Sequence, residues 1–359
     1  MPRARHLQLA LLAAAVVAVQ LGADAAGKPF WLTQLTMAAY GGLVVIGLCL
    51  FMGYAGQISL GHAGFFAIGG YTAAALTTVD LTPRRGAALV ELAARVHLLT
   101  LRPDLYGGEL LTVRPWPAAL AAVALAALVA ALLGVPVLRL KGHYLAMATL
   151  GFGTVVSAVV VGTEGLGAAD GLSGVPPFEL LPGLAVAGGA EARAQNYYLA
   201  WGLVGLGMLL LLNLVHSREG RALRAIHGAE DAAGAMGIDA PRAKLRAFVL
   251  SAAFAAVGGV LMTHYTGGIG PSEASVMRSV RYVALVAVGG MGSLWGTLLT
   301  GTVLQFLSLR GVFGGFDDAV FGATLILVML FAPEGLLRLE LPAGLRAALA
   351  RRRPPPAEG

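Results

Sequence analysis

The sequence predicts an all-α, polytopic membrane protein of about ten transmembrane helices. Of its 359 residues, 57% are hydrophobic and 12% charged, and the mean hydropathy is +0.78. So little polar surface cannot cover a soluble globule, and at roughly 20 residues per span the length accommodates ten crossings with their loops. The second observation is a polar island at residues 216–247, HSREGRALRAIHGAEDAAGAMGIDAPRAKLRA, flanked by apolar runs that are each long enough to cross a bilayer. The third is the density of basic charge in that island. Arg218, Arg221, Arg224, Arg242, Lys244 and Arg246 assign it to the cytoplasm by the positive-inside rule. With ten spans and both termini inside, most of the 25 Lys and Arg share that face and most of the 19 acids face the other way. The basic balance is therefore a topology signal, and no nucleic-acid partner is expected.

The first apolar run, residues 7–23, follows Arg3, Arg5 and His6. Ala23-Asp24-Ala25 behind it imitates a signal-peptidase site, so a cleaved signal peptide stands beside the reading of a retained first helix. Residues 22–29, GADAAGKP, imitate a phosphate-binding loop. Pro29 stands where Ser or Thr would hold magnesium and no strand precedes it, so the match is rejected and no nucleotide or other cofactor is expected on this chain. Cys49, alone in an apolar run, offers neither a disulfide framework nor a metal cluster.

The second span, Trp31 to Met52, leads into GYAGQISLGHAGFFAIGGYTAAALTT, where glycines crowd Gln57, Ser59 and His62 at membrane depth. Glycine-interrupted segments are where transporters break helices around a pathway, and intramembrane polar groups are costly enough to suggest use. Gln57, Ser59 and His62 are thus pathway candidates; the alternative is tight helix packing with His62 satisfied locally. Residues 80–113 read as an extracytoplasmic insertion, with a weakly amphipathic helix over 87–99. Further spans are expected from Trp116 to Leu138, Tyr144 to Gly162, 196–215 and 247–266. An acidic, turn-rich external loop fills 163–195, and Arg139, Lys141 and His143 mark a cytoplasmic return. A second glycine-broken segment, VALVAVGGMGSLWGTLLTG, adds Gly289, Gly290, Gly292 and Ser293 as pathway candidates; two unrelated packing contacts are the other reading of the two breaks. A last span covers Val320 to Leu337. The membrane domain is bounded at 1–343, and the arginine- and proline-rich 344–359 reads as a disordered cytoplasmic tail.

Within the polar island, Ser217 suits an N-cap, with Ala222, Leu223 and Ile226 on one side of the helix it starts and Arg218, Arg221 and Arg224 on the other. Glu230 and Asp231 fit the first turn of a second short helix, Gly237 its C-terminal cap, and Asp239 with Pro241 the start of the next helix. Two short helices on the cytoplasmic face make a surface for a partner to grip; a solvated connector is the other reading. No HExxH motif, carboxylate pair or Ser/His/Asp cluster stands at membrane depth, which argues against an enzyme. No Asp or Glu lies clearly inside a span, which argues against a self-contained proton- or sodium-coupled carrier or a channel, the alternative function.

Several stretches resemble the LivM-type permeases of bacterial branched-chain amino-acid ABC importers. They are GYAGQISLGHAGFFAIGGYTAA from Gly53, LKGHYLAMATLGFG from Leu140, SREGRALRAI from Ser217, AAGAMGI from Ala232, KLRAFVLSAAFAAVGG from Lys244, VAVGGMGSLWG from Val286 and FAPEGLL from Phe331. The resemblance implies an ABC importer permease fold in the bacterial inner membrane. It also implies a LivH-like second permease, two ABC ATPase subunits that use the ATP, and a periplasmic solute-binding protein. On that resemblance Arg218, Glu219, Gly220 and Arg221, with Glu230, Ala232, Ala233 and Gly237, belong to the segment that couples the permease to the ATPase. The chain departs from the family at Gly142-His143-Tyr144, Thr154, His227-Gly228-Ala229 and around Thr163 to Leu172.

Overall fold

The computed structural model describes residues 2–103, 108–140 and 142–331. The FAPEGLL match beyond Phe331, the end of the last expected span, the 344–359 tail and Lys141 lie outside the described residues. Helix follows helix: α1 (Pro2–Ala25), α2 (Phe30–Cys49) with a π-helical turn Leu50–Tyr54, α3 (His62–Thr78), α4 (Ala88–Arg95), α5 (Pro115–Val137) and α6 (His143–Gly162). Then come α7 (Arg193–His216), α8 (Arg218–Gly228), α9 (Glu230–Ala235), α10 (Ala240–Thr266), α11 (Val276–Gly289), α12 (Leu294–Leu309) and α13 (Asp317–Phe331). Six helices are long and apolar enough to cross a membrane: α1, α2 with its π-helical turn, α5, α6, α7 and α10. The expectation of about ten spans also counts α3, α11, α12 and α13, which have 17, 14, 16 and 15 residues.

The chain is not purely helical. Three antiparallel two-stranded pieces join β1 (Leu99–Pro103) to β2 (Glu109–Val113), β3 (Leu172–Ser173) to β6 (Gly268–Ile269), and β4 (Phe178–Leu181) to β5 (Leu184–Val186). The insertion therefore departs from the expected helix over 87–99: α4 lasts 8 residues, and Leu99 onward pairs with the β-favouring Leu110-Leu111-Thr112-Val113, Thr100 opposite Thr112. Its hairpin is moored to α3. The Asp80 carboxylate accepts from the Thr82 amide at 2.8 Å and the Leu111 amide at 3.3 Å, and Arg102 donates to the Thr77 carbonyl at 3.2 Å. The hydroxyl and amide of Thr82 hold the Asp80 carboxyl below the usual carboxylate range. A group with a depressed pKa stabilises above its unfolded value and loses that contribution as pH falls through the folded one. Asp80→Ala is expected to speed trypsin cleavage at Arg95, and acidification to below the usual carboxylate range is expected to speed cleavage of the parent's insertion by pepsin, a protease active at low pH.

The core is the contact of α2 and α3 with α10. Small residues let backbones touch, the packing solution available where lipid removes the hydrophobic drive between helices. A Cβ at Gly69 would stand 2.4 Å from the Ala256 carbonyl oxygen, and one at Gly259 would stand 2.1 Å from that of Phe66. Around them Tyr40, Phe51, Phe65, Phe66 and Phe248 are fully buried. By contrast α1, α5 and α6 turn large apolar side chains outward, among them Leu11, Leu120, Leu132, Met147 and Val155, as a lipid- or partner-facing surface requires. α12 runs antiparallel to α2: Gln34 Nε2 donates to the Leu309 carbonyl at 2.9 Å near one end, and Gly53 touches Gly292 at the other.

Candidate functional site: two broken segments and the polar loop

The polar island folds as local chemistry dictates. Ser217 Oγ caps α8 by accepting from the Gly220 amide at 3.5 Å, and Gly220 itself lies so near the Val215 backbone that a Cβ would clash at 2.2 Å. Leu223 and Ile226 are buried under α8, while Arg218, Arg221 and Arg224 are exposed. Gly237, at φ +84°, ends the next turn in a conformation other residues resist, and Asp239 caps α10 through the Arg242 amide at 3.1 Å. Glu230 starts α9 and reaches Lys244 at 2.5 Å, a lysine 1% exposed; Glu219 pairs with Arg246. Ala233 is the buried face of α9, leaving Ala232 and Met236, the latter 84% exposed, on its outer surface. A charged cleft of about 290 Å³, lined by Arg218, Glu219, Asp239, Arg242 and Arg246, separates α8 from α10.

Next to this loop lies the first glycine-rich segment, and the second packs against the first. Past Tyr54 the backbone leaves the helix, with Gly56 at φ +68°, and becomes helical again only at His62. Side chains from three other helices repair the opening. Thr149 Oγ1 of α6 accepts from the Leu60 amide at 3.0 Å, Ser279 Oγ of α11 accepts from the Ala63 amide at 3.1 Å, and Ser251 Oγ of α10 lies 2.6 Å from His62 Nε2. His62 Nδ1 meets Ser59 Oγ at 3.1 Å. Such partners are what unwound backbone at membrane depth requires. Ser59 and His62 are fully buried in this chain, whereas Gln57 is half-buried and Ile58 is 48% exposed. Of the three polar pathway candidates, then, Gln57 alone reaches this chain's surface, and the other two brace the break from behind.

The second segment is the sharp turn of an antiparallel helix pair. α11 stops at Gly289; Gly290 and Gly292 take φ +95° and +96°; Ser293 Oγ caps α12 by accepting from the Gly296 amide at 3.1 Å. A Cβ at Gly53 would lie 2.4 Å from the Gly292 nitrogen, so the two breaks are in backbone contact. Sequence reading anticipated both but not their meeting. It also passed over a charged group near the start of α11. Glu273 pairs with Arg278 at 2.6 Å and Arg281 with Asp318 at 2.7 Å, the Arg278 guanidinium lying over the Phe66 ring. Arg278 and Arg281, three residues apart in an apolar pattern, were the available signal.

The polar groups at the first break hold its backbone and one another, and the exposed surface of the polar loop lies beside it. The model of the family described as branched-chain amino acid transport system, permease component, matches residues 30–330. The chain is 31% identical over 318 residues to the high-affinity branched-chain amino acid transport system permease protein LivM of Escherichia coli, covering 83% of this chain and 67% of that protein. The LivM protein of Salmonella typhimurium is 30% identical over 317 residues with the same shares. The LivH permease protein of Escherichia coli is 36% identical over 141 residues, 38% of this chain and 46% of its own. No solved structure matches the chain. A multi-pass helical chain matched over this length to permeases, and to no enzyme among those relatives, belongs to the branched-chain amino acid permease family and is of the LivM type.

Proposed function

We propose that the chain is one permease half of an ATP-driven importer in the bacterial inner membrane, with both termini cytoplasmic. It pairs with a LivH-like permease to form the pathway for branched-chain amino acids or a related small polar solute handed over by a periplasmic solute-binding protein. Two ATPase subunits bind and hydrolyse the ATP. In this reading α3, α11, α12 and α13 join the six long helices to make ten crossings. Three of the shorter ones, α3, α11 and α12, begin or end at the two breaks, where side chains take up backbone amides that helical bonds leave free. One observation carries the reading: α9, a short and largely exposed helix, sits on a loop that touches the place where both breaks meet. A partner that displaces this loop acts on Gly53 and Gly56, beside Gln57, and through Gly53 on the Gly289–Ser293 turn, while His62 keeps α3 anchored to α10.

The test is purification of the tagged chain from its native membrane in mild detergent, with mass spectrometry of what accompanies it. An ATPase and a second permease are expected, and both ATPase copies are expected to disappear when residues 230–237 are replaced by a Gly-Ser linker. A chain that purifies alone, under conditions that keep a known ABC importer intact, overturns the reading.

A further inference from the structure

His227, the penultimate residue of α8, turns its ring back toward the bundle. Its Nδ1 donates to the Gly53 carbonyl at 2.9 Å. The same ring lies against Gly56, where a Cβ would come within 2.8 Å of Cδ2. Gly53 belongs to the π-helical turn that ends α2, and the last carbonyls of a helix have no partner within it. The imidazole supplies that partner from a different element. Gly53 is also the residue whose backbone touches Gly292. One side chain of the polar loop thus contacts the end of α2 and the unwound segment, and through Gly53 it adjoins the turn between α11 and α12.

Further ties of α8 and α9 lead to other helices. Ser217 joins α8 to α7, Glu230 joins α9 to Lys244 of α10, and Glu219 joins α8 to Arg246 of α10. Leu223 and Ile226 bury apolar surface, a contact without direction that tolerates sliding. A hydrogen bond to a fixed carbonyl is directional and weakens steeply as its angle falls.

We infer that His227 is a positioning residue that transmits displacement of α8 to the unwound segment 55–61 and to the α11–α12 turn; this rests on the importer reading above. When α8 moves, the Gly53 carbonyl and Gly56 move with it, and Gly292 follows by contact.

The experiment uses the assembled transporter in membrane vesicles, with Ile58→Cys as reporter; the native Cys49 is buried and stays silent. In the parent, maleimide labelling at position 58 is expected to change rate when a non-hydrolysable ATP analogue is added. His227→Ala is expected to cut that change by about fivefold, the worth of one ordinary hydrogen bond, while basal ATP hydrolysis persists. Asn places its Nδ2 where His places Nδ1, so His227→Asn restores the response; His227→Gln, one methylene longer, does not. A full response in His227→Ala overturns the inference, as does equal loss in the Asn and Gln variants, which marks a role in packing alone. Because Asn preserves the donor, a His227→Ala chain that fails to assemble leaves the Asn-against-Gln comparison to decide. If the parent's labelling ignores the nucleotide and no ATPase is present, the importer reading itself fails, and the inference with it.

Discussion

On the proposed importer function, Glu230→Lys is expected to abolish uptake of the transported solute and to strip the ATPase from the purified chain, while the chain still accumulates in the membrane. Glu230 meets Lys244 at 2.5 Å, and Lys244 is 1% exposed, so the substitution leaves a buried ammonium facing another. Removing one partner of a buried pair costs about 3–5 kcal/mol. Here the lower end applies, because Glu230 keeps 30% of its side-chain surface in solvent. α9 has six residues and no side-chain cap at its N-terminus, and a helix so short has no stability of its own. The cost therefore falls on α9, which detaches, and not on the α2–α3–α10 core. Uptake by vesicles and the ATPase yield on purification measure the loss. The reversed pair Glu230→Lys with Lys244→Glu separates two origins. Recovery of the ATPase yield means that Glu230 acts by holding α9 against α10. Continued loss from a well-accumulated chain means that the Glu230 carboxylate itself meets the ATPase. Normal uptake by Glu230→Lys alone excludes both.

What could be read from the sequence was what acts within a few residues. Ser217 and Asp239 cap amides three positions on, and Gly237 ends α9 where a positive φ is needed; each was legible because its partner is its neighbour. Apolar runs gave the six long helices for the same reason. What was not legible was contact across the chain. His227 and Gly53 are 174 residues apart, and His62 and Ser251 are 189 apart. Nothing in GYAGQISLGHAG tells whether His62 faces a pathway or a serine of another helix, and the structure places it against serines on both sides. The hairpin of the insertion escaped because α4 and β1 share a stretch whose weak helical periodicity masked the alternation that starts at Leu99. The ion pair of Glu273 with Arg278 escaped because it spans the start of α11 and is completed by the Phe66 ring of α3, which lies under the Arg278 guanidinium and is more than 200 residues away in sequence.

Gly259→Val is expected to prevent the bundle from assembling. At Gly259 a Cβ would meet the Phe66 carbonyl oxygen at 2.1 Å, the Phe66 carbonyl carbon at 3.0 Å and the Gly70 nitrogen at 3.1 Å. All three are backbone atoms, so no side chain can rotate away, and α3 must move from α10. The reciprocal contact, Gly69 against Ala256, is as tight on the other helix and opens with it. Overpacking costs about 1–3 kcal/mol when side chains absorb it, and more when two backbones must part. The separation also stretches the 2.6 Å bond between His62 and Ser251, leaving buried polar groups without partners at about 1–3 kcal/mol each. Folded yield by size-exclusion chromatography in detergent measures the outcome, with Gly202→Ala and Gly205→Ala on α7 as controls, since a Cβ there meets nothing within 4 Å. The controls are expected to run as the parent does, and Gly259→Val in the void volume. Were Gly259→Val to fold and melt as the parent does, α3 and α10 would have to stand further apart than this contact allows. The brace from Ser251 to His62 could not then be what fixes the start of α3 beside the break.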